Sequence, residues 1–149
     1  MPRLDKLLID PKSIKMSHNE CIGYAAGLID GEGYIGISLS SRKKYPSYSL
    51  TIKVGMTTTR GIGMLQLLFN GNTYLRIAPA SGRAVCTWEV STREDVRVCL
   101  IALQNKILIK KPQVDLGLKF LSLDLDRELR HAFYLKFKAL NSGASYESV

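Results

Sequence analysis

The chain has 149 residues and a mass of 16.6 kDa, enough for one domain with a hydrophobic core and too short for two. Its 46% hydrophobic and 23% charged residues exclude wholesale disorder and collagen-like repeats. The net charge of +8 indicates a polyanionic partner, either nucleic acid or an anionic membrane surface. No apolar run reaches the roughly 18 residues that a membrane span needs, so nucleic acid is favoured and a membrane is not expected.

The N-terminal residues contain acids and a proline where a signal peptide needs an uninterrupted apolar stretch. Three cysteines, Cys21, Cys86 and Cys99, are odd in number and lack the spacing of metal ligands. They are predicted to be buried thiols in a reducing, intracellular compartment, either the cytoplasm or an organelle.

The chain is predicted to contain a loosely ordered N-terminal arm at 1–16, one domain at 17–141 and a flexible tail at 142–149. The domain begins with an S-x-x-E capping box formed by Ser17 and Glu20. This box predicts a helix that runs from Ser17 to about Asp30 and ends at Gly31.

Four segments in which apolar and polar residues alternate predict half-buried strands at 34–40, 48–57, 73–78 and 83–91. In the last of these, Val85, Trp88 and Val90 are assigned to the apolar face, with Cys86 as a further candidate. A short helix is predicted between the second and third strands, at 61–70. Three more helices are predicted after the fourth strand, at 92 to about 108, 113–123 and 125–140.

The resulting order, α-β-β-α-β-β-α-α-α, contains no βαβ unit and therefore predicts an α+β fold with an antiparallel sheet. One face of each strand is apolar and the other is polar, often basic. Such a sheet covers helices on one side and leaves the other side free for a partner. A two-stranded ribbon fits the major groove of DNA, where alternate side chains can reach base edges.

Nearly all of the net charge lies in the middle of the chain. The segment from Gly33 to Arg93 contains eight Lys and Arg residues and one acid, Glu89, a balance of +7. Both signs are usually interspersed on a protein surface, so the exclusion of acids predicts a face that binds nucleic acid. A solvated basic surface without that role is the alternative.

Residues 25–33, AAGLIDGEG, resemble the nine-residue signature of the LAGLIDADG homing endonucleases. Six positions are identical, namely Ala26, Gly27, Leu28, Ile29, Asp30 and Gly33, and Glu32 conserves the second acid. A dinucleotide-binding fingerprint also matches at Gly31, Gly33 and Gly36, but it requires a strand before and a helix after, the reverse of the order here.

The resemblance implies the αββαββα homing-endonuclease fold, with an antiparallel β-sheet saddle that binds DNA and extra C-terminal helices. It also implies two motif helices side by side. The chain has one motif, so a homodimer through this helix and a pseudo-palindromic target are expected. Small residues allow close helix approach, and the predicted interface is Gly23, Ala26, Gly27 and Asp30; packing within the monomer is the alternative.

The two acids of the motif are expected to have different roles. Asp30 is expected to be structural, through hydrogen bonds to nearby backbone or to the partner helix. Glu32 is predicted just past the helix, where a carboxylate facing phosphate requires a divalent cation. The resemblance likewise implies that Glu32 and the Gly31 carbonyl bind a metal, Mg²⁺, with Mn²⁺ or Ca²⁺ as other occupants. A solvated Glu32 is the alternative.

The resemblance to the single-motif homodimeric subfamily implies two more catalytic residues, Arg60 and Lys110. They would stabilise charge on the scissile phosphate and tune attacking waters. An ordinary phosphate or surface contact is the alternative for each. Met56 departs from the subfamily, which often has a water-holding glutamine there, so either Met56 faces the core or the water network differs.

Polar residues on the outward face of the strands, and the basic turn between the first two, are the predicted contacts with bases and phosphates. These DNA-binding candidates are Ser38, Ser40, Arg42, Lys43, Lys44, Ser47, Ser49, Thr51, Lys53, Arg76, Arg83, Thr87 and Glu89.

The sequence thus predicts a homodimeric, Mg²⁺-dependent, site-specific endonuclease that cleaves both strands of a long double-stranded DNA target. The resemblance implies that an intron or intein encodes it, and that it cuts across the minor groove to leave 3′ overhangs. The alternative is a non-cleaving protein of the same fold, either an RNA maturase that assists intron splicing or a DNA-binding regulator.

Overall fold

Residues 3–4, 6–41 and 44–143 are described by the computed structural model of the chain. Within these ranges the strands are β1 (Arg3–Leu4), β2 (Gly33–Ser40), β3 (Ser47–Met56), β4 (Asn72–Ile77) and β5 (Ala84–Val90). The helices are α1 (His18–Glu32), α2 (Thr59–Phe69), α3 (Arg93–Leu103), α4 (Lys111–Ser122) and α5 (Arg127–Asn141), and a 3₁₀ turn, Pro11–Ser13, precedes them. No helix in the described ranges is long and apolar enough to cross a membrane.

The strands form one sheet in the order β1-β4-β5-β3-β2, and every neighbouring pair is antiparallel. The predicted α+β class with an antiparallel sheet is confirmed. β5 is the central strand with β3 beside it, and the inner faces of these two strands contribute Ile52, Val54 and Trp88 to the core beneath the helices. The indole of Trp88 donates a hydrogen bond to the Asn70 carbonyl (2.6 Å), so its polar group is satisfied inside the core.

The two C-terminal helices complete the core. Phe133 and Phe137 of α5 are buried in the same cluster as the inner residues of β2 and β3. The Asn141 side chain at the end of α5 donates to the Ile35 carbonyl of β2 (2.9 Å). Because β2 is an edge strand, α5 also covers backbone that would otherwise be open to pairing.

The capping box at the start of α1 is confirmed. The Glu20 backbone N–H donates to the Ser17 hydroxyl (3.2 Å), and the Ser17 N–H donates to the Glu20 carboxylate (3.2 Å). The predicted end of the helix at Gly31 is wrong, because Gly31 continues the helix and α1 ends at Glu32. The chain passes directly into β2 at Gly33, whose N–H donates to the Ile29 carbonyl.

The described part of residues 1–16 is held against the body, in contrast to the loose arm expected. β1 pairs with β4, and the Thr73 hydroxyl donates to the Leu4 carbonyl (2.8 Å). The Leu8 N–H donates to the Gln66 side chain on α2 (3.0 Å). A strand of two residues has no period to detect, so only long-range contacts reveal it.

Two further expectations are wrong. α3 ends at Leu103 rather than near Leu108, because the chain turns there and is held by contacts described below. Val85 faces outward, and Cys86 takes the buried position, since Cys86 shares the inner parity of Trp88 and Val90. In a strand the side-chain period is two, so only one of the two neighbouring residues can face the core.

Candidate nucleic-acid interface

Helix α1 has a closed side and an open side. The closed side is fully packed in the core and consists of Cys21, Ile22, Ala25, Ala26 and Ile29. On the open side lie Gly23, Gly27 and Gly31, each four residues from the next, and a Cβ built on any of them would meet no atom within 4 Å. Tyr24 stands beside this glycine stripe with 47% of its surface exposed.

Ala26 corrects the predicted interface. Its exposure is 0%, so it packs inside the chain and is not accessible to a partner. An α-helix turns by about 100° per residue, which places Ala26 on the closed side although it directly precedes Gly27.

Asp30 hydrogen-bonds within its own chain, the first of the two alternatives. Its carboxylate accepts from the backbone N–H groups of Leu108 (2.8 Å), Ile109 (3.2 Å) and Lys110 (2.9 Å). The Lys110 ammonium in turn donates to the Asp30 carbonyl (2.7 Å). These four bonds fix the turn between α3 and α4 against the end of α1 and hold a cation at the negative end of that helix.

Glu32 differs from Asp30 because it is exposed and has no hydrogen bond or ion pair with any described residue. It is the last residue of α1, and the carbonyls of that final turn, including Gly31, have no donors within the helix. Carboxylate and carbonyl oxygens are the ligands that Mg²⁺ and Ca²⁺ prefer, so the donor set fits the predicted metal. Within the described ranges no three His, Cys, Asp or Glu side chains gather into a metal cluster.

The two predicted cations lie in different places. Lys110 is brought to the end of α1, where its ammonium donates to the Asp30 carbonyl, as described above. Arg60, the second residue of α2, is exposed and lines a cavity of about 190 Å³ that also contains Tyr24 and Met16. Tyr24 lies eight residues before Glu32 on α1, a rise of about 12 Å, so Arg60 is not gathered with Glu32 in the single chain.

Met56 faces the core, the first of the two alternatives. It is half-buried and packs against the core cluster, and its sulfur lies 3.0 Å from where a Gly61 Cβ would stand. Gly61 therefore allows α2 to approach Met56 and Leu28 closely. A packed thioether at this position does not order water.

The outer face of the sheet presents most of the predicted DNA contacts. Ser38, Ser40, Lys44, Ser49, Arg76 and Arg83 are exposed, and Ser47, Lys53, Thr87 and Glu89 are partly exposed. Arg42 and Lys43 lie outside the described residues. Thr51 is 1% exposed, so it is not accessible as a base contact.

The side chain of Tyr34 folds over its own strand next to Thr51. The phenol of Tyr34 occupies the space over Gly36, where a Cβ would come within 2.3 Å of its hydroxyl oxygen. Gly36 is the cross-strand partner of Thr51, so the phenol lies over the position beside Thr51. Burial, with a smaller contribution from Tyr134, raises the pKa of Tyr34, so its hydroxyl stays neutral at physiological pH.

The three cysteines are free and buried, as predicted. Burial raises the pKa of Cys86 and, much more strongly, that of Cys99. Such thiols are unreactive and belong to the packing rather than to a site.

No protein-family model and no curated protein matches the sequence. Solved structures do match. The homing endonuclease I-CvuI, in complex with the I-CreI target, superposes with a TM-score of 0.65 and 18% identity over 83% of each chain. The group I intron-encoded endonuclease I-CeuI, complexed with DNA, gives 0.60 and 14% identity over 74% of this chain and 57% of that one. This chain has the LAGLIDADG homing-endonuclease fold.

The archaeal intron-encoded endonuclease I-Vdi141I, also complexed with DNA, has the same fold, with a TM-score of 0.57 and 14% identity over 71% of this chain and 69% of that one. The family resemblance seen in residues 25–33 is therefore supported in three dimensions. Signature residues 25–32 form the second half of α1, which carries Gly27 and Gly31 of the open glycine stripe.

Sequence reasoning missed two features of this LAGLIDADG fold. Asn72 lies on the outer face beside Glu89, and its parity with Tyr74 and Arg76 in β4 is the signal that identifies it. The turn at 108–110 is held by Asp30, a contact across about 80 residues that no local pattern predicts.

Proposed function

We propose that the chain is a site-specific DNA endonuclease that acts as a homodimer and hydrolyses phosphodiesters in both strands of a pseudo-palindromic duplex. The observation that carries the proposal is Glu32, an exposed acid without a partner among described residues. It stands at the end of a helix with an open glycine stripe, and the Lys110 ammonium is bound to the Asp30 carbonyl two residues earlier. The fold is that of endonucleases solved on DNA.

The glycine stripe supports the homodimer. Gly23, Gly27 and Gly31 leave the α1 backbone open along two turns, and glycine in a helix interior costs about 1 kcal/mol relative to alanine. A second copy of α1 packed here would benefit from that close approach. Two-fold symmetry through this contact would bring both Glu32 residues near the axis, one for each DNA strand.

A divalent cation completes the proposed site. Glu32 and the Gly31 carbonyl would hold it, together with phosphate oxygens of the substrate, and Mg²⁺ suits such a ligand set. When bound, the metal would activate water and stabilise the leaving oxygen. The I-CvuI complexes were obtained with 2 mM Mg and, on another target, with 2 mM Ca, which supports a divalent metal in this fold.

The residues of the chain itself would supply position and charge. Lys110, fixed by the Asp30 carbonyl at 2.7 Å, would offset negative charge on the scissile phosphate without reorganising. The exposed Arg76 and Arg83 of the outer face would bind the duplex. Arg60 would reach the substrate only if its side chain leaves the cavity beside Tyr24.

One observation favours the second candidate, an RNA maturase or DNA-binding regulator of the same fold. Met56 is packed against Gly61 where the subfamily often has a water-ordering glutamine. Together with the position of Arg60, this would suit a protein that binds nucleic acid without cutting it. The three buried thiols fit a reducing, intracellular location in either case.

The test uses plasmids that carry candidate intronless insertion sites, incubated with the protein in Mg²⁺ and in EDTA. We expect linearisation in Mg²⁺ alone, and a decrease of at least about 100-fold for Glu32→Gln with DNA binding retained. Glu20→Gln, which removes a carboxylate at the opposite end of α1, is the matched control and should cut normally. Absence of any nicking, combined with tight binding to an intron RNA, would overturn the nuclease and favour the maturase.

A further inference from the structure

Four polar side chains form a row across the outer face of the sheet. Tyr34 on β2 is paired with Lys53 on β3, Lys53 with Glu89 on β5, and Glu89 with Asn72 on β4. At the centre of the row, the Lys53 ammonium lies 3.9 Å from the Glu89 carboxylate, and the two side chains are 43% and 28% exposed.

Neither stability nor phosphate binding accounts for this pair. Exposed ion pairs contribute little to folding stability, and a separation of 3.9 Å is too long for a hydrogen bond. Glu89 is the single acid between Gly33 and Arg93. A carboxylate beside Lys53 would repel a phosphate, so this part of the basic surface is unsuited to the DNA backbone.

The pair does match the edge of a base pair in the major groove. Guanine presents two adjacent acceptors, O6 and N7, and cytosine presents one donor, its N4 amino group. O6 and N4 share a Watson–Crick hydrogen bond and are therefore about 2.9 Å apart. An ammonium and a carboxylate held side by side can address both atoms at once, and at 3.9 Å neither group is committed to the other.

An A·T pair fits this arrangement less well. Its donor lies between two acceptors, and the thymine methyl group stands beyond them. The ammonium would then meet one acceptor instead of two, and the methyl would face charged groups. The order of chemical groups thus favours G·C.

We propose that Lys53 and Glu89 together recognise one G·C base pair in each half of the target, with Lys53 on guanine and Glu89 on cytosine. The inference rests on the proposed DNA-binding function and names part of its target. Lys53 is paired with Tyr34, two residues after Glu32, so the contact lies at the end of the sheet next to α1. The base pair therefore belongs to the inner part of each half-site, near the cuts, rather than to the outer part.

The test is a binding selection of the full-length protein on a randomised duplex library. We expect a symmetric consensus with one invariant G·C pair at matching inner positions. In Glu89→Gln the preference for G·C over other pairs at that position should fall roughly tenfold. The exchanged pair, Lys53→Glu with Glu89→Lys, should select C·G at the same position.

The matched control is a second surface ion pair, Glu94 and Arg97 on α3, with a separation of 3.8 Å. Exchanging these two charges should leave the consensus unchanged. Thermal unfolding verifies that each variant is folded, which we expect because neither pair is buried. The selected sequences alone then report the role of Lys53 and Glu89.

The outcomes separate the inference from the function. A consensus that keeps the same base pair in the exchanged variant would overturn the inference and leave DNA recognition intact. Failure of the folded wild-type protein to enrich any sequence would overturn the proposed function, and the inference with it.

Discussion

The two sides of α1 carry residues of similar size in opposite surroundings. On the closed side, Ala25 and Ala26 are 0% exposed, because the sheet and the neighbouring helices already pack against them. On the open side, Gly23 and Gly27 meet nothing within 4 Å. Small residues permit close approach of a neighbouring element on both sides, but only the closed side is packed against one in the single chain. The difference separates the contacts that fold the chain from those that would assemble it.

The same contrast recurs at the end of the helix. Asp30 accepts three backbone hydrogen bonds and belongs to the fold. Glu32, two residues later, is exposed and without such a bond in the described ranges. Of the two acids of the motif, the fold thus engages Asp30 and leaves Glu32 available for the proposed metal site.

The largest effect on stability is expected from replacing a small residue by leucine, first on the closed side of α1 and then on the open side. Ala26→Leu overpacks the closed side and should lower the free energy of unfolding by about 1–3 kcal/mol. In the monomer, at protein concentrations too low for the dimer, Gly27→Leu should leave the free energy of unfolding equal or up to about 1 kcal/mol higher, since glycine is a poor helix former. Urea unfolding measures both.

Gly27→Leu should also shift the protein from dimer to monomer and weaken DNA binding, as measured by light scattering and by titration with duplex. If the Gly27→Leu protein stays dimeric, the dimer contact does not lie on the open side of α1. Equal destabilisation by the two substitutions would remove the distinction between the sides of α1.

A smaller effect is expected at the two acids. Asp30→Ala removes the acceptor of three N–H groups and should destabilise the chain by about 1–2 kcal/mol, as the loss of a helix cap does. Glu32→Ala should not change stability. Hydrogen exchange of the Leu108 and Lys110 amides should accelerate in Asp30→Ala alone; acceleration in Glu32→Ala would contradict the division of roles.

The smallest effect is expected at the capping box, which stabilises the start of α1 and belongs to neither of its two sides. Hydrogen bonds from Ser17 lower the pKa of Glu20 below its ordinary value of 4.5. The ionised carboxylate therefore stabilises the folded chain above that value, and the contribution is lost as the pH falls through the lowered pKa. The Tm of wild type should exceed that of Glu20→Gln at neutral pH, and the gap should close in acid. A Tm difference that widens in acid would show that the ionised Glu20 carboxylate does not stabilise the folded chain.

The sequence predicted those features of the fold that repeat locally. The capping box of Ser17 and Glu20, the alternation along β2 and β3 and the order of helices and strands all follow from periods of two or 3.6 residues. The spacing of Gly23 and Gly27, four residues apart, predicted a stripe of small residues on one side of α1. Each rests on neighbours a few residues apart.

What could not be predicted depends on distant contacts. The apolar residues after Leu103 continue the helical pattern, but Asp30 holds that segment as a turn. Thr51 has the parity of an outward residue, yet Tyr34 lies across its partner Gly36. Ala26 belongs to the signature, but it lies on the side of the helix that is buried in the core. In each case tertiary packing decides between surfaces that the local pattern leaves equivalent.

The bonds between Asp30 and residues 108–110 have a consequence for how the protein matures. During synthesis the acid of the motif emerges early, whereas the ammonium that accompanies it emerges some 80 residues later. A nascent or proteolysed chain that stops before this turn would have no Lys110 ammonium on the Asp30 carbonyl, two residues before the exposed Glu32. The proposed nuclease would therefore gain cleavage competence only after the last third of its chain has docked, which limits the damage that unfinished copies could do to DNA.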